Sequence, residues 1–362
     1  MDRSGLKTEI FGTLANGETV EAVTLTNANG MSVKIIGYGA SIQSVCVPDA
    51  QGRFADVTTG YATLDEYVTQ PQFYGATIGR VANRIAHARF MLDGEEYIVS
   101  ANDDANSLHG GDVGFDKVNW TVTTCDAAAL SVTLRYFSPH GDQGYPGNLN
   151  VTATYQLSPD NALSVTYRAT TDALTCVNLS NHAYWHLSGE GAPHDAMDHL
   201  LTIQADHYLP VDSALIPTGE RRSVAGSVFD FRVPKPIRDH VRDGADEQLR
   251  HGHGYDHNWI INAVVAPEPS IVAELKDPYS GRTMTLLSNQ PGVQFYAGNF
   301  FDGSTKGKAG KNYHMGDAIA LEPQMFPDAP NQPSFASAAL LPGDSYENII
   351  IWQFGTTAGD VA

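Results

Sequence analysis

Imidazoles, carboxylates and amides recur along this chain at spacings that gather them on common faces, and the chemistry they fit is proton transfer. The richest segment is Cys176-Val-Asn-Leu-Ser-Asn-His-Ala-Tyr-Trp-His-Leu187. If it is extended, alternate residues share a face. One face then carries Asn178, Ser180, His182, Tyr184 and His186; the other carries Val177, Leu179, Ala183, Trp185 and Leu187, interrupted by Asn181. A solvated sheet face is the alternative, but such faces are usually built from Lys, Glu and Thr. In Asp317-Ala-Ile-Ala-Leu-Glu-Pro-Gln324, Ala318, Ala320 and Glu322 face one way and Ile319 and Leu321 the other. A carboxylate beside alanines has room for a ligand, and burial would raise its pKa and strengthen it as a base. A Glu emerging into solvent is the alternative.

Four shorter segments could supply ligands. Gly79-Arg-Val-Ala-Asn-Arg-Ile85 reads as a bend that presents Asn83 and Arg84. The guanidinium fork of Arg84 could span two hydroxyls, or it could form a surface ion pair. In Asn106-Ser-Leu-His-Gly-Gly111, His109 sits beside two glycines where backbone can approach a ligand; a simple turn would look the same. His251-Gly-His-Gly-Tyr-Asp-His257 invites a metal reading. Its glycines forbid a good helix, however, and Asp256 could instead accept from hydroxyls. In Pro291-Gly-Val-Gln-Phe-Tyr296, Gln294 and Tyr296 share a face. Tyr184, Trp185 and Tyr296 are candidate stacking platforms, although most aromatics belong to cores. There is no G-x-x-x-x-G-K-[ST], no G-x-G-x-x-G after a strand and no G-x-S-x-G.

The elements that must hold these residues are short alternating runs punctuated by turns. Asn16-Gly17, Asn29-Gly30 and Asp93-Gly94 sit between such runs and read as tight hairpin turns. Residues 131–137, 150–157 and 163–171 read as strands, and 271–276 with 282–287 as another hairpin. Helical periodicity is weak, and the 34 Gly and 19 Pro fall mostly between the runs. The pattern predicts an all-β fold, a large antiparallel β-sandwich, and no linker divides residues 1–362 into two domains. The net charge of −19 repels nucleic acid and anionic membrane. Three scattered cysteines argue against a disulfide framework or thiolate metal site, and a reducing cytoplasm is the expected setting. No apolar run approaches the ~18 residues of a membrane span.

Together these segments resemble the aldose 1-epimerase family, the galactose mutarotases. The match runs from about Phe11 to Phe354 through Gly79–Ile85, Leu108–Gly111 with Gly114–Lys117, and Gly144–Gly147. It continues through Asn178–Leu187, Asp256–Asn258, Pro291–Gln294, and Ala320–Gln324 with Pro327–Ala329. The resemblance implies a single β-sandwich with an open sugar-binding cleft. It implies a cofactor-free and metal-free enzyme that interconverts the anomers of a free hexose, acting as monomer or homodimer. Glu322 falls on the general base and His182 on the general acid. Arg84, His109, Asp256 and Gln294 fall on sugar-binding positions, with Asn83 supporting, and Tyr184 is expected to bind the sugar beside them. The chain departs from the family at Tyr184-Trp-His-Leu187, where Tyr-Phe-Asn-Leu is common, and at Pro323, which often replaces a Thr; both bear on the preferred sugar. Reference pKa values of about 4.3 for Glu and 6.5 for His predict a bell-shaped pH profile, its acidic limb from the carboxylate and its basic limb from the imidazolium. Alternatives are a non-catalytic sugar binder, an epimerase of a different or phosphorylated aldose, a hydrolase with paired carboxylates, and a metal-dependent isomerase using His251, His253 and His257.

Overall fold

A computed structural model of the chain describes residues 4–70, 72–263 and 266–357. Asp93 and Gly94 both take positive φ (50° and 83°), and the two-residue turn joins Arg89–Leu92 to Glu95–Ile98. Positive φ at both turn residues matches the twist of the flanking strands, which is why Asp-Gly stands there. The hairpin expected over residues 271–276 and 282–287 forms as well, with Ser270–Lys276 antiparallel to Arg282–Ser288.

Three large antiparallel sheets dominate. One has five strands in sequence order, from Gly5–Thr13 to Phe54–Asp56. The second has nine strands, with Tyr346–Thr356 at its centre between Ala162–Thr171 and Arg282–Ser288. The third has six, in the order Tyr184–Trp185, Ile319–Gln324, Gly292–Tyr296, Asp256–Ile260, His207–Leu209, Arg222–Ser223. One core joins them: Leu25 and Val33 from the first, Val151 and Trp352 from the second, Trp185, Phe295 and Leu321 from the third. Among the described residues the α-helices are two single-turn pieces, Leu64–Thr69 and Glu247–Gly252. Among these residues no helix is long and apolar enough to cross a membrane.

The expected continuous strand over residues 176–187 is not one. Thr175–Cys176, Ser180–Asn181 and Tyr184–Trp185 pair with three different partners: Ala339–Leu340, Thr77–Ile78 and Ile319–Ala320. The segment threads between sheets, and both of its faces are buried. Its polar side chains pin backbone where no strand can. Ser180 Oγ donates to Pro323 O at 2.8 Å, and Asn178 Oδ1 accepts from Met325 N–H at 3.0 Å. These bonds clamp the segment carrying His182 to the strand carrying Glu322.

Candidate active site

Strand register builds the floor of the site. Tyr184, Ala320, Tyr296 and Asp256 lie opposite one another in a cross-strand row. Glu322, Gln294 and Asn258 form the next row, two residues along each strand and therefore on the same face. Ala320 leaves the space above it free for its larger neighbours. The opposite face, with Ile319, Leu321, Phe295 and Trp259, enters the core.

A cleft of about 160 Å³ opens over this floor. His182 Nε2 stands 3.6 Å from Glu322 Oε1, and both side chains are at most 5% exposed. That distance is too long for a hydrogen bond, so the two groups face each other without engaging each other. Burial pushes the Glu322 carboxyl well above the usual carboxylate range, reinforced by the charge of Asp256. Burial also holds His182 down, at about 4. The order of the two groups is thus inverted relative to the reference values, and the expected assignment of the pH limbs is inverted with it.

Asn83 and His109 form a mutual clip. Asn83 N–H donates to His109 Nδ1 at 3.2 Å, and His109 N–H donates to Asn83 O at 3.0 Å. Both take positive φ (64° and 52°), and both line the cleft. The glycine beside His109 is obligatory, because a Cβ on Gly110 would lie 1.9 Å from Gly79 O. Arg84 also lines the cleft, and its Nε is held by Asp103 Oδ2 at 2.7 Å. The ion pair and the cleft position are therefore both real for this residue. Asp256 lines the cleft with its carboxyl raised, chiefly by burial. Gln294 was expected as a direct ligand. It is 3% exposed and does not line the cleft; its Nε2 donates to Asp256 Oδ1 at 2.7 Å. It orients Asp256.

Other expectations are separated from the cleft. Trp185 is a core residue against Trp352 and Phe354. His186 lies among His194 and His199. Arg80, from the same segment as Arg84, is 2% exposed, with its guanidinium bonded to the carbonyls of Ser138, Pro146 and Gly147. The three histidines of residues 251–257 do not converge. His251 pairs with Glu247, His253 lies near Phe300, and His257 is buried against Phe229. Sequence reasoning missed Asp103, and it missed Phe73 and Phe300, two rings at the rim.

Among the described residues, one trio of potential metal ligands has its donor atoms mutually within 4.8 Å: His109, His182 and Glu322. The hydrogen bonding of His109 does not suit a metal. Nδ1 is occupied by the Asn83 N–H, which leaves the proton of the neutral ring on Nε2. A ligating histidine instead donates from its second nitrogen, so this ring has no free lone pair to offer.

A carboxyl and an imidazole facing each other in a polar cleft on a large antiparallel β framework define a sandwich protein with a site suited to a small polar molecule. The chain belongs to the aldose 1-epimerase family, whose sequence model matches residues 21–352. It is 43% identical to galactose mutarotase of Mus musculus over 348 residues, covering 95% of this chain and 97% of that one. The solved aldose epimerase homologue from C. elegans superposes with a TM-score of 0.84 at 30% identity, covering 93% and 99% of the two chains. The galactose 1-epimerase of Lactobacillus acidophilus NCFM gives 0.83 at 30% identity, covering 97% and 98%.

Proposed function

We propose that the chain is an aldose 1-epimerase that interconverts the α and β anomers of free hexoses such as galactose and glucose. The observation that carries this reading is the buried pair His182–Glu322, 3.6 Å apart across an open cleft. The two oxygens of a hemiacetal are bonded to one carbon, so a single sugar can bridge the pair. Glu322 takes the proton of the C1 hydroxyl while His182 gives a proton to the ring oxygen. The C1–O5 bond breaks, the aldehyde turns its other face, and the ring closes with the roles reversed. No hydride moves and no covalent intermediate forms, so these residues suffice without a cofactor. His109, with its proton on Nε2, is a fixed donor to the sugar, and Asp256 is an acceptor.

A phosphorylated sugar fits poorly. Glu322 and Asp256 line the cleft, Asp103 neutralises Arg84, and Arg80 is occupied elsewhere. Hydrolysis is the second reading, because Glu322 and Asp256 share a face, as paired carboxylates do in glycosidases. Against it, Glu322 faces His182 at 3.6 Å, and Asp256 lies two strands away, held by Gln294. Polarimetry of freshly dissolved α-D-glucose and α-D-galactose decides, run with and without chelator beside a nitrophenyl galactoside assay. Rapid chelator-resistant mutarotation without nitrophenol release is expected. A protein that binds galactose without accelerating mutarotation would be a sugar-binding module. A cytoplasmic monomer or homodimer is the state proposed, and the formal net charge of −19 argues against nucleic-acid partners.

Arg84→Ala and Asp256→Ala are expected to raise KM about tenfold or more, with a smaller fall in kcat from misplaced substrate. Steady-state polarimetry with folding checked by circular dichroism reads both. Unchanged KM and kcat in both folded variants would remove this cleft as the binding site.

A further inference from the structure

No side chain among the described residues holds the His182 imidazole by a hydrogen bond. Nδ1 has no hydrogen-bond partner among the described residues, and Nε2 is 3.6 Å from Glu322. A histidine that moves protons is usually oriented by a bond to its second nitrogen. Here the contacts to the ring are aromatic. Phe73 lies nearly parallel to it, with centroids 5.7 Å apart and planes at 21°. Tyr184 meets it at 4.7 Å and His109 at 5.2 Å. Phe73 also covers His109, at 4.8 Å.

The backbone is bent to put Phe73 there. Its φ is 58°, a left-handed conformation that disfavours a bulky side chain. The turn it starts is fastened to His182 itself. Ala76 N–H donates to Phe73 O, Gly75 N–H to His182 O, and His182 N–H to Ala76 O, at 3.0, 3.1 and 2.9 Å. Phe73 is only half-buried: it packs against the small cluster of Ala76, Ile78 and Ala82 and also lines the cleft, so core packing alone does not account for the strained position.

Given the proton-transfer reading above, we propose that Phe73 is a positioning residue for the reaction: its ring fixes the plane of the His182 imidazole and shields one face of it from water, keeping Nε2 aimed at the sugar oxygen beside Glu322. The titratable groups around that imidazole are Glu322, His109 and Tyr184, with Lys117 Nζ beyond the phenyl ring at 6.0 Å from its centroid.

The test compares Phe73→Leu, which keeps apolar volume but loses the flat ring, with Phe73→Tyr, which restores the ring. Phe73→Leu is expected to lower kcat about 10- to 10²-fold with KM within about threefold, the cost of a misplaced catalytic group. Water reaching the imidazole relieves its desolvation, so the acidic limb of kcat/KM, which follows His182, should move to higher pH. Phe73→Tyr should recover both kcat and the limb. Thermal unfolding of the Leu variant near the wild-type temperature separates positioning from folding. A folded Leu variant with wild-type kcat and an unmoved acidic limb overturns the proposal, as does a loss that Tyr fails to rescue. A wild-type protein without mutarotase activity sinks the parent reading and this one together; an active wild type leaves the Leu variant to judge Phe73 alone.

Discussion

Replacing Glu322 with Gln is expected to lower kcat at least about 10²-fold while galactose binding survives. The substitution keeps the shape of the side chain and its place in the row with Gln294 and Asn258. It removes the carboxyl in the cleft that is raised by burial and faces the imidazole. Stability should move the other way. A buried carboxyl with a raised folded-state pKa contributes stability below its unfolded value, about 4.3. That contribution is lost as pH rises toward the folded value, because the unfolded chain then ionises more readily. The Gln variant has no such group, so its melting temperature should gain on the wild type as pH rises through that window. Polarimetry, galactose titration by calorimetry and melting curves at pH 5 and 8 read the three quantities. Near-wild-type turnover in a folded Gln variant would remove Glu322 from the mechanism. Lost turnover together with lost binding would point to a disrupted cleft instead.

Residues 317–324 were legible because period two places Ala320 and Glu322 together whatever the neighbouring strands are. The same rule failed over residues 176–187. Alternation cannot show that successive amide groups bond to Ala338, Arg80, Ala76 and Val57 in turn, so the segment looked like one strand. His182 and Tyr184 still reached the cleft, while His186 and Trp185 went elsewhere. The meeting of His182 with Glu322 was not legible in spacing at all; it depends on Ser180 and Asn178 gripping the backbone after Glu322. Gln294 was placed on the right face, but only its hydrogen bond in the folded chain shows that it serves Asp256. Phe73 carried no signal, since a left-handed phenylalanine is visible only once the chain is folded. The choice for Arg84 between ion pair and ligand was no real alternative, as Asp103 orients the group that lines the cleft.

Replacing His182 with Asn is expected to remove most of the activity and also change the shape of what remains. Productive ring opening needs the proton on His182 and none on Glu322. In the wild type, burial holds His182 at about 4 and Glu322 well above the usual range. The doubly protonated pair is inactive, so kcat/KM should rise with pH through the lower ionisation, which follows His182. The fully deprotonated pair is also inactive, so kcat/KM should fall through the upper one, which follows Glu322. Both limbs belong to the coupled pair. In His182→Asn only the carboxyl remains, and it must be ionised to act as base. Residual activity, about 10²-fold or more below the wild-type optimum, should therefore rise with pH through the Glu322 ionisation and then stay level. On the basic side the two enzymes should diverge in sign, the wild type declining where the variant holds. That divergence is a stronger test than the loss alone, because a merely disordered cleft lowers the whole curve without altering its basic side. A wild type that stays fully active at high pH, or an Asn variant that still declines there, would mean that His182 does not act as a protonated acid.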